Sequence, residues 1–415
     1  MREQKKQPEL RFKGFTDDWE QSKLGNLVEI KDSARISNIY WQEDGIPYLR
    51  SSDLVDYTAS GALFISKQTY NTFSSKTGSP KKGDVLFTSG GTIGIPTLKK
   101  DDSLIYVQGG SILYAKTSNS VKLDGRFLVN YFYNSRIKIY IKNSSVGGTI
   151  KHFTLMPAKK MPIIFPKKKE QQKIGEFFQK FDEAITLQQR KLELLKKLKQ
   201  GYLQQMFPTK DKVIPQLRFS IFNGDWEQST LGDELDLLKD GTHGTHQDVD
   251  EGIYLLSAKN IKNGKINIDK LTDRKISSDE YNSIHKNFSL KKGDVLLTIV
   301  GSIGETAIIE NPAGITFQRS VAYLRPNNKL VSEFLFTIMN GQQFQSELKK
   351  RQVVSAQPGI YLNDLSVISI SIPIDEEQQK IGEFFQKLDQ AITIQQSKLD
   401  KLKNIKQAYL QKLFP

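Results

Sequence analysis

The sequence has no cysteine and only four histidines, and these shortages exclude much chemistry at once. Without thiols there is no disulfide framework, no cysteine–zinc site and no thiol nucleophile, a pattern that fits a reducing cytoplasm. No run approaches the roughly 18 apolar residues of a membrane span. The start, MREQKKQPEL, is charged and lacks the apolar core of a signal peptide. The expectation is a soluble, cytoplasmic chain with no membrane partner. Nucleotide chemistry lacks its signatures too: there is no Gly-x-x-x-x-Gly-Lys-Ser/Thr and no Gly-x-Gly-x-x-Gly after a strand. The Asn/Asp-Pro-Pro-aromatic tetrapeptide of amino-methyltransferases is also missing. His243 and His246 are the only close histidine pair, in Asp240-Gly-Thr-His-Gly-Thr-His. Their spacing fits no helical metal site, so no metal and no catalytic residue is expected in this chain.

What is present is a globular composition, 38% hydrophobic and 10% aromatic over 415 residues, enough for two or three domains. The net charge of +14 is unevenly placed. Residues 1–200 hold 34 Lys+Arg against 20 Asp+Glu, whereas residues 201–415 hold 26 of each. A basic excess of this size suits a polyanion, because phosphate contacts release condensed counterions. Charge alone also fits a merely soluble basic protein.

An internal duplication organises the chain. Residues 170–208 match residues 377–415 at 28 of 39 positions, at an offset of 207. Upstream, PELRFKGFTDDWEQSKLG from Pro8 matches PQLRFSIFNGDWEQSTLG from Pro215 at the same offset. KKGDVLFTSGGTIG from Lys81 matches KKGDVLLTIVGSIG from Lys291 at an offset of 210. A period this long is a tandem duplication, not a solenoid.

The repeated 39-mer reads as a long helix with a coiled-coil seam. Its apolar positions step by four and three through Ile174, Phe178, Phe181, Ile185, Gln188, Leu192 and Leu195, then Lys199, Tyr202 and Met206. The second copy runs through Ile381, Phe385, Leu388, Ile392, Gln395, Leu399 and Leu402, then Lys406, Tyr409 and Leu413. Pro208 and Pro415 close the helices. Some 35 residues span roughly 52 Å. Short connections at each helix end imply a domain at either end of the first helix, with the second helix returning antiparallel to it. Gln188 and Gln395 are then expected near each other at a pseudo-twofold axis.

The division expected is a first domain over 1–166, a spacer helix over 167–208, a second domain over 209–373 and a second helix over 374–415. Each domain reads as α+β. Strand-like runs Asp84–Ser89 and Ser111–Ala115 sit among loops rich in Gly, Ser and Thr. One amphipathic helix is expected around Gly125–Lys142 and another around Val331–Arg351. The glycine runs Ser89-Gly-Gly-Thr-Ile-Gly and Val300-Gly-Ser-Ile-Gly read as tight turns, with phosphate-cradling the alternative. Trp19 and Trp226 hold equivalent positions and read as core anchors.

Trp-x-x-x-x-Leu-Gly (Trp19–Gly25, Trp226–Gly232), Lys-Lys-Gly-Asp-Val-Leu and a terminal Glu-Gln-Gln-Lys-Ile helix recur in one order in both halves. Together they resemble the specificity subunit of Type I restriction–modification systems over essentially the whole chain. The resemblance implies two target-recognition domains, each reading half of a bipartite, asymmetric double-stranded DNA site, with paired helices between them. It implies two modification (methyltransferase) subunits and two restriction (translocase/nuclease) subunits as partners, which would carry S-adenosylmethionine, ATP and magnesium. No cofactor is expected here. Half-sites on one face of B-DNA lie roughly 34–36 Å apart, a distance such a spacer can set.

Base readout needs polar side chains at loop tips. The candidates in the first domain are Ser33, Arg35, Arg50, Ser51, Ser52, Lys81, Lys82, Thr88, Ser89, Thr92 and Gln108. In the second they are Thr242, His243, Thr245, His246, Ser257, Lys259, Asn260, Ser302, Gln318 and Arg319. The first domain is expected to supply more phosphate attraction, through Lys81, Lys82 or Lys167–Lys169. Two other readings compete: a coiled-coil scaffold that binds proteins and not DNA, and a stand-alone nuclease or methyltransferase.

Overall fold

The computed structural model describes residues 7–54, 63–149, 151–209, 212–353 and 358–415. Residues 1–6, which begin the charged N-terminal stretch, lie outside the described residues. The chain divides into two compact units, Met1–Gln189 with Ser397–Pro415, and Arg190–Gln396. The units cut across the linear division into domains and spacers. Each takes one globular domain, the first half of the helix that follows it, and the last turns of the other helix.

In unit one an antiparallel sheet runs in the order Ile30–Asp32, Ile112–Ala115, Val85–Thr88, Pro96–Leu98. Val85–Thr88 and Ile112–Ala115 are buried at every position, as expected for central strands covered on both faces. The turn before Val85 is set by Gly83 at φ +89° and by the Asp84 carboxylate, which accepts from the Lys81 N–H at 2.8 Å. A smaller sheet, Trp41–Gln42, Phe64–Ile65, Ile46–Leu49 and Tyr106–Val107, ends in a parallel pair. The strands Glu20–Lys23 and Pro162–Phe165 close the domain.

Unit two repeats this plan. Its main sheet is Leu235–Asp240, Val321–Pro326, Val295–Thr298, Thr306–Ile308. The parallel pair is Ile253–Leu256 with Ile315–Phe317. A hairpin, Ile261–Lys262 with Lys265–Ile266, turns on Asn263 (φ 54°) and Gly264 (φ 75°), the left-handed pair a two-residue loop requires.

The amphipathic stretches are each broken in two, contrary to the single helix expected. Gly125–Tyr131 gives way to Ser135–Ser144, because the Asn134 side chain accepts from Arg136 N–H and starts a new helix. Ser332–Met339 gives way to Gln342–Arg351 at Gly341, which sits in an extended conformation. Trp19 and Trp226 are core anchors, each 2% exposed and packed edge-on to Phe127 and Phe334.

The long helices are Lys168–Gln205 and Asp375–Lys412. All ten seam positions of each copy are buried or half-buried. Within unit one the helix segments run antiparallel. Phe177 meets Tyr409 at 5.0 Å, Phe178 stacks on Phe414 at 6.0 Å, and Asp182 pairs with Lys406. Unit two makes the equivalent set: Tyr202 with Phe384 at 5.1 Å, Phe207 with Phe385 at 6.2 Å, and Lys199 with Asp389 at 2.6 Å. The two seam lysines are thus paired to carboxylates on the facing helix.

Candidate nucleic-acid interface

In unit one the polar loops converge at one end of the two sheets. The Gln108 N–H donates to Leu49 O at 2.8 Å, which ties the loop after Tyr106–Val107 to the short 3-10 turn Ser51–Asp53. Gly109 lies against Ser33: a Cβ there would stand 1.8 Å from the Ser33 carbonyl oxygen, so only glycine fits. Gly91 has φ +74°, and a Cβ placed on it would stand 3.3 Å from the Ser51 hydroxyl. The Ser89 N–H donates to Ser111 O at 2.7 Å, closing the ring of loops.

Burial sorts the candidates in this ring. Thr88 is buried, and its hydroxyl accepts from Ile95 N–H at 2.9 Å and donates to Thr92 O, so it builds the turn. Ser33, Ser89 and Gln108 are also buried. The side chains of these four lie inside the fold, not at the exposed loop tips expected of base-reading residues. Arg35, Ser52, Lys81, Lys82 and Thr92 are exposed, and Ser51 is half-buried. The Arg50 guanidinium, half-buried, lies against Asp53 at 3.2 Å.

Unit two gathers the equivalent loops by the equivalent bonds. Gln318 N–H donates to Leu256 O at 2.8 Å, and Thr242 forms a bridge to Gln318. Gly241 has the Phe317 carbonyl oxygen 2.2 Å from any added Cβ. Asn260 is buried, donating to Asp273 at 2.7 Å and Asn267 O at 2.9 Å while accepting from Ser257 N–H. His246 is held between Thr242 Oγ1 at 2.9 Å and Glu280 Oε1 at 2.6 Å. The polar groups of Asn260 and His246 are thus engaged within the fold and not presented at a loop tip. His243 pairs with Asp240, and Lys259 with Asp273 at 2.7 Å, both with exposed outer faces. Thr245, Ser302 and Arg319 are exposed, and Thr242, Ser257 and Gln318 are half-buried. The glycine runs are tight turns: Gly91, Gly94, Gly301 and Gly304 all have positive φ. No group of three metal-ligating side chains exists among the described residues.

The family model described as Type I restriction modification DNA specificity domain matches residues 16–197 and again 223–404. The chain belongs to that family. It is 24% identical over 404 residues to the Type I restriction enzyme MjaVIII specificity subunit of Methanocaldococcus jannaschii, covering 94% of this chain and 90% of that one. It is 27% identical over 198 residues to the EcoBI specificity subunit of Escherichia coli, covering 46% and 41%. The crystal structure of the Type I restriction–modification S subunit from M. genitalium superposes with a TM-score of 0.63 at 18% identity, covering 99% of both chains. A chain solved for the complex assembly and conformational transition of the type I R-M system gives 0.54 at 17%, covering 96% and 98%.

As specificity subunits of this kind are non-catalytic and recognise DNA targets, the family's shared motifs call for a structural explanation. The Glu-Gln-Gln start of each long helix is a joint. Glu170 accepts from Arg11 at 2.8 Å through both oxygens and is 1% exposed; Glu377, 0% exposed, accepts from Arg218 at 2.8 and 2.6 Å. Each glutamate holds its arginine above the usual guanidinium range. Gln171 donates to Lys122 O and Pro166 O and accepts from Asp124 N–H; Gln378 repeats this with Lys329, Pro373 and Val331. Sequence reading missed His152, which bridges to Gly90 and to Val146 beside the candidate loops.

Proposed function

We propose that the chain reads a bipartite, asymmetric duplex DNA site, one half per unit, and directs two modification and two restriction subunits to it. What supports this is a contrast inside one sequence. The helices match at 28 of 39 positions and make the same ion pairs in both units. The loops that converge in each unit carry different polar side chains. Like surfaces suit the same partner met twice, and unlike loops suit unlike bases. Arg35, Ser52 and Thr92 in unit one, and Thr245, Ser302 and Arg319 in unit two, are the exposed candidates for base edges. Arginine is suited to guanine, whose O6 and N7 accept its paired N–H groups. S-adenosylmethionine, ATP and magnesium belong, in this reading, to the partner subunits.

The test is to map methylated adenines in cells carrying this chain with its partners. Two unlike half-sites at a fixed separation are expected. Replacing Arg319 by alanine relaxes one half only, by about 1–3 kcal/mol of discrimination. A single uninterrupted or perfectly palindromic motif refutes the reading.

A further inference from the structure

Between Asp124 and Glu170 the chain carries no acidic residue but ten Lys+Arg. The equivalent stretch, residues 332–376, holds five Asp+Glu and three Lys+Arg. These segments differ by 12 charges, most of the difference of 14 between the two halves. The lysines favoured from sequence are largely engaged. Lys82 faces Asp102 at 3.0 Å and Lys167 faces Asp17 at 2.9 Å. Lys168 points inward, donating to Ser120 O at 2.8 Å and Leu123 O at 2.6 Å, and burial lowers its pKa.

Four of the remaining cations lie on one helix and the loop after it. Helix Ser135–Ser144 buries Ile137 and Ile141 and turns Arg136, Lys138 and Lys142 outward. Lys151 is exposed in the loop that follows. None of these four has an ionic partner among the described residues. The Ile141 side chain lies 3.2 Å from a Cβ placed on Gly94, and Phe153 N–H donates to Ser89 O at 2.8 Å. The helix and its loop therefore flank the turn that carries Thr92. In unit two the equivalents of Arg136 and Lys138 are Gln343 and Gln345, and both are consumed internally, on Pro208 O and on Gly304 O and Met339 O.

We propose that Arg136, Lys138, Lys142 and Lys151 form a phosphate-contacting arm in unit one that grips the DNA backbone beside the bases its loops read; of the four, unit two keeps a cation only at Lys349, the equivalent of Lys142. The inference rests on the DNA-reading role proposed above. Phosphate contacts carry no sequence information but fix register and supply affinity. Among the described residues no carboxylate pairs with these cations, so they can displace counterions from the duplex, Lys138 from a position over the Tyr133 ring at 5.4 Å from its centroid.

The experiment uses the full chain and a fluorescent duplex of random sequence, with affinity measured from 50 to 300 mM salt. Each phosphate contact contributes about 0.9 to the slope of log affinity against log salt. Changing all four residues to glutamine is expected to flatten that slope by about 3–4, with an unchanged melting temperature. The same change at Lys262, Lys265, Lys270 and Lys286 of unit two is expected to do less. A wild-type slope in a folded quadruple variant overturns the arm. Retained slope with lost co-purification of modification subunits also overturns it, assigning the patch to a protein. A wild-type chain with no salt-dependent duplex binding refutes the underlying reading instead.

Discussion

The last residues of the chain complete the core of the first domain, so truncating Phe414 to alanine should loosen strands some 300 positions earlier in sequence. Phe414 is 3% exposed and lies in one cluster with Phe127 at 5.4 Å, Tyr131 at 5.8 Å and Phe178 at 6.0 Å. Burying about 200 Å² of ring at about 25 cal/mol per Å² gives about 5 kcal/mol, an upper value because unfolded chains already shield some surface. Core Phe→Ala changes cost about 3–5 kcal/mol, which agrees. Protection against hydrogen exchange should fall by roughly two to three and a half powers of ten. Peptides covering Val85–Thr88 and Ile112–Ala115 report it by mass spectrometry. Phe207, the equivalent in unit two, meets Trp226 at 5.9 Å and Phe334 at 5.8 Å. Its alanine variant should loosen Val295–Thr298 and Val321–Pro326 by a similar factor. Wild-type exchange of the unit-one strands in Phe414→Ala refutes the claim that this residue belongs to that core.

Four further outcomes are expected. Glu377→Ala strands Arg218, whose side chain is 13% exposed against 0% for its partner. A urea melt should lose about 3–5 kcal/mol, while replacing both residues by Met and Leu loses less. Gly175→Ala should lower stability by about 1–3 kcal/mol, because the new Cβ would stand 2.7 Å from Arg126 Cβ. Gly201 has nothing within 4 Å, so Gly201→Ala should raise stability by up to about 1 kcal/mol, as Ala408 already stands at the equivalent position. His285 has its pKa lowered, first by burial between Tyr281 and Phe288 and then by Lys239. The unfolded chain therefore binds the extra proton more readily, and stability falls as pH drops below about 6.5. His285→Asn should flatten the wild-type loss of melting temperature between pH 7 and pH 5.5; an unchanged pH profile refutes it.

The helical seam was legible because a 3.5-residue period holds over ten consecutive positions, and every one of them is buried or half-buried. The breaks within the amphipathic stretches were not. Phe132-Tyr133-Asn134 continues the apolar pattern, and only the Asn134 side chain, turning back as a cap, ends one helix and starts the next. For the candidate residues, type and place in the sequence were legible, but exposure was not. Thr88 and Thr92 look alike in sequence, yet one hydroxyl is spent inside the turn and the other residue is exposed. Asn260 has the chemistry of an adenine reader, but Asp273 and Asn267 use its amide. Loop tips and loop anchors draw on the same residue types, because both jobs need short polar side chains.

What makes the family recognisable in this sequence is a joint, not a reading surface. Glu170, Gln171 and Gly175 lie in the first two turns of a helix, and each is specified by a different constraint. The carboxylate answers a largely buried arginine, the amide satisfies two carbonyls and one N–H, and the glycine allows a close crossing over Arg126. Leu10 N–H, donating to Lys412 O at 2.9 Å, ties the domain's start to the other helix's end, and Leu217 does the same with Gln205 O. None of these constraints refers to a base sequence. A loop exchanged for another of different polarity leaves all of them intact, whereas a single change at the joint leaves a charge or a backbone group buried without a partner. The joint can therefore repeat almost residue for residue in both halves while the loops it supports diverge.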